Sequence, residues 1–167
     1  MWESAQLLQA ARELGLDDAD GGAAGEFEGQ RVSLKVAYDS NARSLAIVRG
    51  VLARPLDLGL SMRRREVARL DDRPGASGNA DLDAEFAIRG DERTQLRALF
   101  GKALCAQLLA LHRASQELQL DDTGCAILLP SIFAIDDHAR WMERSLHAVA
   151  TTVALLDEAR AGVPMLA

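Results

Sequence analysis

The sequence predicts an α+β fold, an antiparallel sheet with its helices on one face, in the order α-β-β-β-(β)-α-β-β-α. Two groups of period-two segments, residues 29–62 and 117–129, are separated and flanked by segments with helical apolar spacing, and regular β-α-β alternation is absent. At 167 residues, 49% hydrophobic and 26% charged, the chain has the size and balance of one globular domain spanning 1–167.

In residues 2–14, Leu7, Leu8, Ala11 and Leu14 fall on one helical stripe, and Gly15 follows as a residue favoured just past a helix end. Residues 17–25, rich in Asp and Gly, have no periodicity and read as a loop. From Gly29 onward Val32, Leu34, Val36 and Tyr38 alternate with Arg31, Ser33 and Lys35, the pattern of a half-buried strand, and Asp39-Ser40-Asn41 supplies turn chemistry. Residues 44–52 are apolar on both faces, as an interior strand requires. Residues 56–62 alternate again through Leu56, Leu58, Leu60 and Met62, so the three strands are expected to form a meander.

Residues 63–80 are polar and charged, and 66–80 is expected to be a mobile loop. A helical turn at 81–85 and a short extended piece at 86–89 precede Asp91, which has the chemistry of an N-cap. The helix it opens, to about Ala114, carries Leu96, Leu99, Phe100, Ala103, Leu104, Leu108 and Leu111. Residues 117–120 and 125–129, split by Asp121-Asp122-Thr123-Gly124, read as a hairpin. Asp136 or Asp137 then caps a last helix with Met142, Leu146, Val149, Val153 and Leu156 on one stripe, and 162–167 is a C-terminal tail. Pro55, Pro74, Pro130 and Pro164 all fall outside these element interiors.

Nineteen basic against 25 acidic residues give a net charge of −6, which disfavours nucleic acid and anionic membranes as partners. Only Lys35 and Lys102 are lysines and alanine is abundant, a composition that suggests a GC-rich bacterial source. No basic leader with an apolar run opens the sequence and no apolar stretch is long enough to span a bilayer, so a cytoplasmic location is expected. Cys105 and Cys125 lack metal or redox spacing and read as buried apolar thiols.

Catalytic patterns fail one by one. His112, His138 and His147 are scattered, and His138 and His147, nine residues apart on a helix, point in opposite directions. If Gly21 were the glycine of a calcium loop, Leu16 and Phe27 would stand where carboxylates are needed. Gly101-Lys102 resembles the end of a phosphate loop, but Leu96 stands where its first glycine belongs, and no G-x-S-x-G or G-x-G-x-x-G occurs. Neither an enzyme nor a cofactor or metal is expected. The concentrated positive charge at Arg63, Arg64 and Arg65 is the sharpest local feature, a candidate site for an anionic partner or else a solvated strand end.

Around Asn79-Ala80-Asp81-Leu82-Asp83-Ala84-Glu85-Phe86-Ala87-Ile88-Arg89-Gly90-Asp91-Glu92 the chain resembles an uncharacterised bacterial family whose stretch has the style G-D-x-x-F-D-x-x-F-x-V-x-G-D-D. Asp83, Phe86, Gly90 and Asp91 agree with it, while Leu82 replaces a phenylalanine. Residues 25–32 and 56–60 also look like that family's strands. The resemblance implies a fold but no activity. Read physically, Asp83 and Asp91 close turns and Phe86 anchors the segment to the core. The element order is also similar to that of type III secretion chaperones, which bind unfolded segments of exported proteins across a dimer; that likeness implies a protein partner and a homodimer.

With no paired acid and base groups, the expected function is a non-catalytic protein-interaction or scaffolding module. The alternatives are a secretion or assembly chaperone and an enzyme with an unrecognised site.

Overall fold

The computed structural model describes residues 2–65, 76–114, 117–129, 131–132 and 135–165. In chain order the elements are α1 (Trp2–Glu13), β1 (Asp17–Ala19), β2 (Gly22–Phe27), β3 (Gln30–Tyr38), β4 (Ser44–Val51), β5 (Ser61–Arg64), α2 (Ala80–Glu85), β6 (Phe86–Arg89), α3 (Arg93–Leu99), α4 (Lys102–Ala114), β7 (Glu117–Asp121), β8 (Gly124–Leu129) and α5 (His138–Arg160). The strands form one antiparallel sheet in the order β1-β2-β3-β4-β8-β7-β5-β6. The class is α+β, as the two strand groups predict, and the β4–β8 pairing fuses those groups into a single sheet.

Pleating decides which face is covered. Ala23, Val32, Leu34, Ala46, Val48, Ile127, Leu118, Leu120, Met62, Phe86 and Ile88 fall on one face by register, and all are buried. Against them α1 packs on β2 and β3, α4 on β7, and α5 on β2, β3, β4 and β8. Helix α5 spans 23 residues, begins where the Asp137 carboxylate accepts the N–H of Arg140 at 3.0 Å, and buries Met142, Leu146, Val149, Val153 and Leu156. It lies close to the sheet because β4 presents Gly50 beneath it: a Cβ there would come within 2.5 Å of Val153 Cγ2 and 2.6 Å of Val149 Cγ1.

Several sequence expectations need correction, four of them in the order and bounds of the elements. Residues 17–25 are not a loop but β1 and most of β2, two strands joined at Asp20-Gly21; Gly21 takes φ +75, and only Ala23 is buried, so pairing with β3 rather than hydrophobic pattern makes them strands. The strand expected over 56–62 begins at Ser61, because Asp57 and Gly59 adopt φ of +57 and +64, which interrupts extended backbone. Nor does it complete a meander. Leu52 and Leu56 donate their N–H groups to the carbonyls of Thr123 and Asp122, which carries the chain around the β7–β8 turn and delivers β5 to the far side of β7. The single helix expected from Asp91 to Ala114 is two, turning at Phe100-Gly101, so that α3 meets α5 while α4 also reaches β7.

Of the expected 66–80 loop, residues 66–75 lie outside the described residues; Ser77 is buried and Ala80 opens α2. Pro74, Pro130 and the last two residues of the expected tail also lie outside them.

Candidate interaction face

On the opposite face of the sheet, among the described residues, no apolar side chain belongs to the core or to the side chains packed against it. Register sets its rows: Lys35, Ile47, Leu128 and Glu117 lie across β3, β4, β8 and β7, with Ser33, Arg49, Ala126 and Gln119 beside them. Ala37 and Leu45 continue the first row's apolar end, and Arg31 and Val51 flank the second. Leu45, Ile47, Val51 and Leu128 are partly exposed and do not belong to the core or to the side chains packed against it. Leu45, Ile47 and Leu128 adjoin by register and Val51 lies beyond Arg49 on the same strand, so four aliphatic side chains stand on this face outside the described core.

The rim is charged. Arg31, Lys35, Arg49, Arg63 and Arg89 share this face with Asp17, Glu26, Glu117 and Asp121, a slight positive excess in a chain of net charge −6. Arg49 is held toward the β7–β8 turn, its Nη2 donating to Thr123 Oγ1 at 2.6 Å and lying 3.7 Å from Asp121 Oδ2. The sheet's edges offer less: β1 has three residues and β6 four, short edges that give an added strand little to pair with.

The arginine run divides. Arg63 alternates with Met62, so it stands on the bare face opposite Ala87, while Arg64 leaves by the helical side at the exposed end of the strand. Arg65 turns back, its N–H donating to Glu85 O at 2.9 Å and its guanidinium reaching Phe86 O at 3.5 Å. The three do not form one cationic site.

The motif residues 83–91 brace the sheet's β6 end. Asp83 Oδ1 accepts from the Ser77 hydroxyl at 2.7 Å and its N–H at 3.1 Å, while the Asn79 side chain caps α2 at Leu82 N. Phe86 is fully buried, its ring edge-on to His112 with centroids 4.7 Å apart. A Cβ at Gly90 would strike Leu96 at 2.6 Å. Asp91 does not cap α3, whose N-cap is Glu92; its N–H donates to Leu58 O and its carboxylate lies against Gly59.

The histidines occupy separate places. His112 Nε2 lies 3.4 Å from Glu85, His147 Nδ1 lies 2.8 Å from Glu28 in the β2–β3 turn, and His138 begins α5. Both thiols are free and buried; burial pushes the Cys125 thiol up to about 12 and raises Cys105 as well. Among the described residues no group of three or more His, Cys, Asp or Glu is placed to hold a metal ion.

Sequence reasoning missed the aliphatic patch because residues 44–52 look apolar on both faces. The signal present was Arg49, which shares a face with Leu45, Ile47 and Val51 and marks it as solvent-facing.

No family model and no curated protein matches the chain. Among solved structures it is similar to that of the mycobacterial trehalose monomycolate transport factor A, TtfA, with a TM-score of 0.60 and 10% identity over 99% of this chain and 98% of that one. At that identity the likeness is one of fold. Among the described residues no helix is long and apolar enough to cross a membrane.

Proposed function

We propose that this chain is a non-catalytic interaction module of the cytoplasm that binds a polypeptide partner across the bare face of its sheet. The observation that carries this reading is the patch of Leu45, Ile47, Val51 and Leu128, partly exposed and outside the core. Apolar side chains gathered on one exposed face, rimmed by polar residues, are a place for a partner to dock. A broad, pleated face suits another protein better than a small molecule, whose sites are concave and enclose their ligand. The rim of Arg31, Lys35 and Arg63 would orient that partner and speed its arrival. Two free thiols suit a reducing compartment.

A narrower form of the same reading is a chaperone for an exported or assembling polypeptide. It is supported by the fold shared with a protein named as a transport factor.

The test compares partners co-purified from native cells by the wild type and by the Ile47→Asp/Leu128→Asp variant, identified by quantitative mass spectrometry. Partners held by the wild type and lost from a variant of unchanged melting temperature support the proposal. Identical partner sets overturn it.

A further inference from the structure

On the helical side of the molecule, α1 and the start of α5 leave between them a solvent-open groove of about 910 Å3. Its origin lies in α1's two faces: Leu7 and Ala11 are buried against the core, while Trp2, Gln9 and Glu13, spaced seven and four residues apart, line the groove. Ala10 and Ile135 form a buried apolar floor. Trp2 stands 71% exposed at one end, its indole face open to a ligand cation.

Apart from His138, the ionisable side chains among the described lining residues are all acidic. Glu3, Glu13, Asp136 and Asp137 contribute carboxylates, and no lysine or arginine is among the described lining residues. Asp137 spends one oxygen capping α5, and Glu13 accepts from Gln9 at 3.2 Å, which leaves both with further acceptor capacity. His138 also lines the groove, and its Nε2 is buried with no hydrogen-bond partner among the described residues.

We propose that this groove binds a basic polypeptide segment that also carries apolar side chains. Its lysines or arginines would meet the carboxylates and the face of the Trp2 ring, and its apolar side chains the Ala10–Ile135 floor. The inference goes beyond the sheet-face reading and stands independently of it: the groove lies on the other side of the molecule, so a chain with both surfaces can bridge two partners.

The probe is a fluorescently labelled amphipathic peptide of lysine and leucine, with a glutamate-for-lysine counterpart, titrated against the full chain by anisotropy. The Glu13→Gln/Asp136→Asn variant should bind the basic peptide about tenfold more weakly, the size expected from losing two contacts worth about 0.7 kcal/mol each. Asp20→Asn/Glu158→Gln makes the same change in net charge elsewhere and should alter affinity less than about twofold. Trp2→Ala should weaken binding, the acidic peptide should not bind, and Ile47→Asp on the sheet face should leave basic-peptide binding intact. Equal losses in the two double variants would reveal general attraction to an acidic protein and overturn the proposal, as would undiminished binding by the groove variant.

Discussion

Asp122 and Gly59 join the β7–β8 turn to the irregular segment before β5: the Gly59 N–H donates to Asp122 Oδ2 at 2.9 Å, while the N–H groups of Leu58 and Leu60 donate to Oδ1 at 3.0 and 3.1 Å. Three successive amides gathered on one carboxylate form an anion-binding nest, filled here by the protein's own side chain. Hydrogen bonds to a charged group contribute about 1.5–3 kcal/mol net of the bonds to water that they replace. Asp122→Ala should therefore cost about 2 kcal/mol in urea unfolding, and Asp122→Asn less, since one acceptor oxygen remains. A loss too small to measure in Asp122→Ala would contradict this role.

The fit of α5 on β4 predicts a compensating pair. Gly50→Ala places a methyl against Val149 and Val153 and should cost about 1–3 kcal/mol through overpacking. Adding Val149→Ala should recover part of that loss, so the double-mutant cycle should show coupling. Strict additivity would mean that the helix is not seated on Gly50.

The buried thiols set an alkaline limit. The folded pKa of Cys125 is raised by burial from an ordinary 9.0 to about 12, so the stability tied to its neutral form is full below pH 9 and is lost as pH rises from there toward 12. Iodoacetamide at pH 8 should accordingly modify neither cysteine until the protein is unfolded, as read by intact-mass spectrometry. Labelling of Cys125 in the folded protein would show that α5 does not seal it.

Adjacent residues of β4 should respond oppositely to charge. Val48 is fully buried beneath the helices, and Val48→Asp should cost several kcal/mol and lower the melting temperature sharply. Ile47 faces away from the core, and Ile47→Asp should change stability by no more than about 1 kcal/mol. Comparable losses would mean that both faces of the sheet are buried.

What could be read from the sequence follows this contrast. The strands β3 and β4 and the helix α5 were legible because each buries a face through Val, Leu, Ile or Met at the period of its own backbone. The strands β1 and β2 were not, since Gly22, Ala23, Ala24 and Gly25 carry almost no side-chain signal and become strand by pairing with a neighbour; Asp20-Gly21 was the one local cue. The position of β5 depends on backbone bonds from Leu52 and Leu56 to a turn some seventy residues later, which no local pattern encodes. For the candidate site, sequence singled out three arginines, and folding leaves Arg63 alone among them on the bare face. The aliphatic patch, separated from Arg63 by β7, becomes visible only when register places Leu128 beside Ile47.

The most direct measurement of the central claim is photo-crosslinking in living cells, with a photoreactive amino acid at position 47 or 128 on the bare face, or at position 158 on the exposed surface of α5. Discrete adducts of defined mass should form from positions 47 and 128 and not from 158. Mass spectrometry of those adducts would identify the partner, a second copy of the chain included. No adducts from positions 47 and 128, whether or not position 158 yields any, would mean that the bare sheet face is not where the partner binds and would contradict the account.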